Sequence, residues 1–241
     1  MVYSDLRKEA REKLKGKWGK VFWITLICIA VVLLYVVLLS ISTTSALQLI
    51  VLIFTIISVP LSLAYTISLF KLFNNEDINV SDFFASGFKF FGKSWSITFR
   101  IIQKTLVSFI LYNLSITFCT GIILGILAFN SDAELLVLLI SLPLIAFIIL
   151  IISSSLQTMK LYYYSLSFII TAENPELSAK EVVEKSKELM TGKRWKLFCL
   201  QLSFIGWAIL SIFSLGIGFL FLIPYMEVAN IAFYKSITNA N

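Results

Sequence analysis

Long apolar blocks alternate with short polar segments along the whole chain. A helix needs about 20 residues to cross the hydrocarbon core of a bilayer. Six blocks approach or exceed that length, at residues 21–41, 46–73, 105–130, 135 to about 162, 197–213 and 217–233. The pattern predicts an all-α membrane protein with six transmembrane helices.

The composition agrees with that prediction. Of the 241 residues, 59% are hydrophobic and 14% are charged, whereas soluble domains carry about 25% charged residues. A cleaved signal peptide is the alternative for the first block. Its apolar run exceeds the roughly 7–15 residues of such a peptide and lacks a small-residue cleavage site, so we expect it to be retained.

The distribution of positive charge predicts the orientation of the chain. All 20 Lys and Arg residues cluster before the first block, around the connections between blocks two and three and blocks four and five, and at the C-terminus. The other three loops, at 42–46, 130–134 and 213–216, contain none. By the positive-inside rule, both termini of this multi-pass membrane protein should be cytoplasmic.

An internal repeat accounts for the charged connections. Gly16 and Lys17 in the first copy align with Gly192 and Lys193 in the last, and a middle copy carries the same pair at Gly92. Periodicity of this kind indicates a repeated structural unit. Within a single domain, 1–241, we therefore predict three pseudo-repeats at about 1–73, 78–171 and 174–241. Each is preceded by an amphipathic interfacial helix.

The helix of the last copy has recognisable ends. Ser178 and Glu181 form a capping box, and Gly192 can end the helix in a left-handed conformation. Its apolar and charged residues fall on opposite faces, so we expect the apolar face to lie down in the headgroup layer.

Basic residues near the blocks are candidate contacts for lipid headgroups. They are Lys89, Lys93, Arg100 and Lys104 in the middle copy, Lys17 and Lys20 in the first, and Lys193, Arg194 and Lys196 in the last. The middle four would share one stripe on a continuous helix. These residues favour the anionic inner leaflet as a partner, because headgroups would repel nucleic acid. The alternative is that they only set topology and anchor the chain.

The middle unit is longer than the others. Extra residues lie between its two apolar blocks and the charged connections. These residues predict either a cytoplasmic extension of the central hairpin or tilted interfacial segments.

The chain lacks the residues of common catalytic sites. It has no histidine, and its three cysteines show no metal-binding spacing. No phosphate-binding loop, nucleophile elbow or zinc-protease motif occurs. We expect a non-catalytic protein without cofactor or metal.

One carboxylate within a predicted span is a candidate intramembrane polar site. Glu227 lies a turn beyond Pro224 and shortly before Asn230. An ionisable residue in a span suggests function by default. The alternative is a position near the cytoplasmic interface, where Glu227 pairs with Lys160, Arg100 or Lys104.

Residues 173–234, which begin with ENPELSAKEVV, and the segment AREKLKGKWGK at 10–20 carry a family resemblance. They are similar to the multi-span membrane proteins known as domain of unknown function 975, common in Gram-positive bacteria. The resemblance implies an integral protein of the cell membrane and no known activity or catalytic residues. A fainter, topological likeness connects the chain to the membrane domains of some glycerophosphodiester phosphodiesterases, whose catalytic domain it lacks.

Two classes of function follow. One is an accessory, envelope-stress or peptide-immunity component, for which lipid and another membrane protein are the candidate partners. The other is a transporter or permease subunit with a path near Glu227.

Overall fold

A computed structural model describes residues 3–41, 45–128 and 133–239. Over these residues the chain forms helices and turns, without a strand. The helices are α1 (Tyr3–Leu14), α2 (Trp18–Ile41), α3 (Ser45–Phe73), α4 (Val80–Lys89), α5 (Phe91–Ala128), α6 (Ala133–Leu161), α7 (Ser167–Glu173), α8 (Ala179–Met190), α9 (Arg194–Leu202), α10 (Ile205–Phe213) and α11 (Phe219–Thr238). A 3₁₀ turn at Tyr162–Tyr164 links α6 to α7.

Four segments of the described residues are long and apolar enough to cross a membrane. They are Trp18–Ile41, Leu47–Phe73, Phe91–Gly121 and Arg194–Phe213. A membrane protein is therefore supported, whereas six spans stay a prediction. The predicted fourth span coincides with α6, whose side chains are described only from residue 147. Residues 42–44 and 129–132, which form most of two predicted outer loops, lie outside the described residues.

Helices α2 and α3 form an antiparallel hairpin with two different environments. The hydroxyl groups of Thr25 and Tyr65 are 3.0 Å apart and set its register. Toward the far end, side chains such as Val37 and Leu52 are about half exposed, at 53% and 54%. At the end near the charged helices, Val21 and Leu63 are buried. The far end thus requires apolar surroundings, and the near end is covered by protein.

The last helix packs against the basic end of this hairpin. The rings of Phe204, which precedes α10, and Tyr225 of α11 lie 5.0 Å apart, so α10 and α11 run antiparallel. Contacts of α11 with the hairpin involve Phe22, Thr66 and Phe70. Polar and aromatic contacts thus tie the predicted sixth span to the basic end of α2 and α3.

The amphipathic helices pack against protein. Leu6 and Leu14 of α1, Phe83 of α4, and Val182 and Met190 of α8 are all buried in the common core. We expected the apolar face of α8 to lie in the headgroup layer, and that expectation was wrong for Val182 and Met190. Periodicity shows that a face must be covered, but neighbouring helices of the same chain do the covering here.

The predicted helix ends occur as expected in two copies of the repeat. Ser178 and Glu181 form the capping box. Gly192 and Gly16 have φ values of +76° and +78° in the turns after α8 and α1. Such values favour glycine, because a Cβ would clash with the backbone.

The middle copy differs from the other two. Its helix breaks at Phe90, and Gly92 lies inside α5. Lys89 is therefore on a different helix from Lys93, Arg100 and Lys104, so the predicted stripe of four is not continuous. At 38 residues, α5 is about 57 Å long, which exceeds the roughly 40–45 Å of a bilayer with its headgroups. This length favours the cytoplasmic extension of the central hairpin.

Candidate functional site

The Glu227 carboxylate lies between α11 and α3 and is half-buried. It accepts hydrogen bonds from Thr66 Oγ1 at 3.2 Å and from Asn230 Nδ2 at 3.3 Å. The Thr66 hydroxyl also lies 3.2 Å from the Ser62 carbonyl, so its single proton is shared. The carboxylate thus has two long hydrogen bonds from neutral donors, which is weak compensation for its charge.

The predicted cationic partners of Glu227 lie elsewhere. Among the described residues, ion pairs join Lys20 to Asp77 and Lys235 to Glu173. Lys160, Arg100 and Lys104 are exposed, and no described contact joins them to Glu227. The structure therefore brings Glu227 and Asn230 together, as predicted, but not Lys160.

A second carboxylate is held by a cation. Glu173 Oε1 lies 2.5 Å from Lys235 Nζ, and Glu173 Oε2 accepts a hydrogen bond from the Tyr234 hydroxyl. Burial acts to raise the pKa of Glu173, but the hydrogen bonds from Lys235 and Tyr234 outweigh it, and the pKa lies below its ordinary value. This group fastens α7 to α11. Sequence reasoning missed it, because no local spacing relates residues 62 positions apart.

Several of the predicted headgroup ligands bind backbone carbonyls instead. Lys17 Nζ donates to the Leu72 carbonyl at 3.1 Å, at the C-terminal end of α3. Arg194 lies 3.4 Å from the Met159 carbonyl in the last turn of α6, with its guanidinium 4.1 Å from the centre of the Tyr163 ring. Lys93 donates to the Pro175 carbonyl at 2.6 Å. Cations at helix C-termini satisfy free carbonyls and oppose the negative end of the helix dipole.

Two further cations also bind acceptors within the same chain, one a backbone carbonyl and the other a carboxylate. Arg7, which sequence reasoning missed, donates to the Ser203 carbonyl at 3.2 Å, where the chain breaks between α9 and α10. Lys20 pairs with Asp77, and the hydrogen bond from Lys20 is the main reason that the pKa of Asp77 is lowered.

The other predicted headgroup ligands remain available. Lys89, Arg100, Lys104 and Lys196 are exposed, and Lys193 is half-buried. Lys89 lies 5.4 Å from the centre of the Phe90 ring. Within the described part of the chain, no ion pair engages any of these side chains.

A proline within α3 leaves one backbone carbonyl of that helix without its usual hydrogen-bond donor, and another helix supplies a donor. Pro60 has no N–H, so the Ile56 carbonyl four residues earlier lacks its partner within the helix. Trp95 Nε1 donates to that carbonyl at 3.0 Å and ties α5 to α3. The freed carbonyl is thus bound by the protein itself.

Two grooves lie outside the Glu227 cluster. One, of about 680 Å³, is lined by Leu114, Thr117, Phe118 and Gly121. The other, of about 320 Å³, is lined by Lys8, Arg11, Glu12, Lys15 and Trp18. Neither includes Glu227, and the described residues hold no group of three His, Cys, Asp or Glu side chains that could bind a metal ion.

Comparisons with known proteins give a family and no function. No curated protein matches the chain, and no solved structure matches it. The family model described as protein of unknown function (DUF975) matches residues 1–241. The chain therefore belongs to the DUF975 family.

Proposed function

We propose that this protein is a non-catalytic component of the cell membrane that binds anionic phospholipids at its basic, cytoplasmic end. The observation that carries the proposal is the position of Arg100 and Lys104. They lie four residues apart on α5, are exposed, and neighbour the exposed apolar side chains of Phe99 and Ile102.

Lipid headgroups are the counter-ions that suit cations in that position. The segment Phe91–Gly121 is apolar enough to cross a membrane, so its exposed side chains would meet lipid near the membrane boundary. Long cationic side chains there extend toward headgroups, and each contributes about 1 kcal/mol near an anionic leaflet. Nucleic acid is disfavoured as a partner because headgroup phosphates would repel it.

The arrangement in the membrane is also part of the proposal. The distribution of Lys and Arg supports cytoplasmic termini in a plasma membrane. Six spans in three pseudo-repeats stay the prediction from sequence. As an alternative, the α2–α3 and α5–α6 hairpins cross the membrane and the third unit lies along the inner leaflet, although its segment Arg194–Phe213 is apolar enough to cross.

The absence of catalysis rests on the sequence. Without histidine, the usual general base is missing, and Glu227 is held by Thr66 and Asn230. An accessory subunit, an envelope-stress factor or an immunity protein against a membrane-active peptide would need only lipid contact and a partner membrane protein.

A transporter or permease subunit is the second candidate. It is favoured by the Glu227 carboxylate, which has neutral hydrogen-bond donors and, among the described residues, no ion pair with a cation. Such a carboxylate could bind a proton or a cationic substrate. Uptake or efflux that is lost in Glu227→Gln, with lipid binding unchanged, would support this candidate over the first.

Lipid retention tests the main proposal. Native mass spectrometry of the purified protein should show bound anionic phospholipid, and Arg100→Gln/Lys104→Gln should bind it about 30-fold more weakly, from about 1 kcal/mol for each charge. Lys180→Gln/Lys187→Gln on the exposed face of α8 makes the same change in charge and is the control. Equal retention by both variants would show that Arg100 and Lys104 only set topology.

A further inference from the structure

A groove with three cations and one carboxylate lies on the outer side of α1, where that helix turns into α2. It has a volume of about 320 Å³ and is lined by Lys8, Arg11, Glu12, Lys15 and Trp18. The groove is open to the surface and its charged side chains are exposed, so a headgroup could reach it directly.

Helix periodicity places these side chains together. Leu6, Ala10 and Leu14 of α1 are buried against the core, so the lining residues of the same helix project from the opposite face. The turn at residues 15–17, in which Gly16 has a φ of +78°, then brings Trp18 to the end of the groove.

The cations of the groove are not neutralised by its carboxylate. Glu12 is four residues after Lys8 and three before Lys15, spacings that commonly give ion pairs on a helix. The ion pairs within 4 Å in the described residues are Lys20–Asp77 and Lys235–Glu173. Lys8, Arg11 and Lys15 therefore remain available to an anion, and Glu12 remains available to a hydrogen-bond donor.

The position of the groove indicates a lipid as the source of that anion. Trp18 begins the first segment that could cross a membrane, and its ring lies 5.8 Å from that of Phe221. The side chains of Phe221 and Trp23 are 45% and 59% exposed. A lipid with its headgroup in the groove would thus find apolar surface for its acyl chains, which a free phosphate does not need.

We propose that this groove is a binding site for a phosphodiester headgroup that carries free hydroxyl groups, as in phosphatidylglycerol. Lys8, Arg11 and Lys15 bind the phosphate oxygens, and Glu12 accepts hydrogen bonds from the headgroup hydroxyls. The proposal rests on the proposed function in one respect, since the basic end must face an anionic leaflet. It uses different residues from the site on α5.

The first test measures affinity in nanodiscs of phosphatidylcholine that contain phosphatidylglycerol. Arg11→Gln/Lys15→Gln should bind phosphatidylglycerol about 30-fold more weakly than the wild type, which corresponds to about 2 kcal/mol. Lys180→Gln/Lys187→Gln is the control and should change binding less than threefold. Equal binding by the two variants would overturn the site. Competition by soluble glycerol phosphate at matched concentration would instead identify a site for free phosphate and overturn the assignment to lipid.

The second test measures selectivity, which a general electrostatic surface would not provide. The wild type should prefer phosphatidylglycerol to phosphatidic acid, whose headgroup has no glycerol hydroxyls. Glu12→Ala, which has no side-chain hydrogen-bond acceptor, should lose that preference while retaining phosphatidic acid at least as well. An unchanged preference would overturn the role of Glu12.

The two proposals fail in distinguishable ways. If the wild type retains no anionic lipid, both are wrong. If Arg100→Gln/Lys104→Gln loses lipid and Arg11→Gln/Lys15→Gln does not, only the groove is wrong.

Discussion

Replacing Trp95 by Phe removes the hydrogen-bond donor that α5 provides to α3. The indole N–H lies 3.0 Å from the Ile56 carbonyl, which Pro60 deprives of a partner within its own helix. Phe retains most of the ring, so the main loss is the hydrogen bond. Leaving a buried acceptor without a partner costs about 1–3 kcal/mol, whereas hydrogen bonds between membrane helices average about 0.6 and reach about 1.7 kcal/mol. Because Ile56 is 38% exposed, we expect a loss of about 1 kcal/mol.

A double-mutant cycle isolates that hydrogen bond. In Pro60→Ala the new N–H at residue 60 can bind the Ile56 carbonyl, so Trp95→Phe should cost little beyond its lost ring area. The coupling free energy between the two substitutions should therefore be about 1 kcal/mol. Reversible unfolding in mixed detergent micelles, followed by far-ultraviolet circular dichroism, measures all four proteins without relying on tryptophan fluorescence.

Additive effects would refute this reasoning. Sites that do not interact usually add within about 0.3–0.5 kcal/mol, so a coupling free energy in that range would show that the Trp95 hydrogen bond does not compensate for Pro60. Trp207→Phe is the control, because Trp207 is 53% exposed on α10 and should not couple to Pro60→Ala.

Three further predictions concern the pH dependence, the hinges and the topology. Because the folded-state pKa of Glu173 is lowered, its contribution to stability is present above the unfolded pKa of about 4.3 and is lost as the pH falls through the folded pKa. The difference in stability between wild type and Glu173→Gln, measured by thermal unfolding, should therefore become smaller as the pH decreases from 6 to about 3. A difference that does not change with pH would contradict this role of the Glu173 carboxylate. Gly192→Ala should destabilise the protein by about 1 kcal/mol, because its φ is +76°, whereas Gly92→Ala within α5 should be neutral or slightly stabilising. A Cβ at either position meets no atom within 4 Å, so equal effects in denaturant unfolding would count against the backbone explanation. On a cysteine-free background, an impermeant thiol reagent outside the cell should label Thr43→Cys and Ser131→Cys but not Lys8→Cys or Lys185→Cys, and the reverse pattern would invert the topology. Leu215→Cys, at a position that is 94% exposed between α10 and α11, distinguishes the two arrangements. The impermeant reagent should label it from outside if there are six spans. It should label it only after permeabilisation if α10 and α11 lie along the inner leaflet.

Local features were largely predictable from sequence. The capping box at Ser178 and Glu181 and the left-handed Gly192 depend on residues within a few positions of one another, and their conformations follow from hydrogen bonds and sterics within that segment. The all-helical, membrane-spanning character likewise follows from the length and apolarity of the blocks, because the bilayer requires internally satisfied backbone groups.

The partners of the charged residues were decided by tertiary structure. Glu227 contacts Thr66 across 161 positions of sequence, and Lys17, Lys93 and Arg194 bind carbonyls at positions 72, 175 and 159. A charge pattern shows that a cation needs a counter-ion or an acceptor, but a headgroup phosphate and a helix C-terminus satisfy the same need. The sequence by itself thus determined the all-helical character and the ends of α8, and it predicts which side of the membrane carries positive charge. Only the packing of the helices decided which apolar faces are covered by protein, and which cations, such as Arg100 and Lys104, remain exposed.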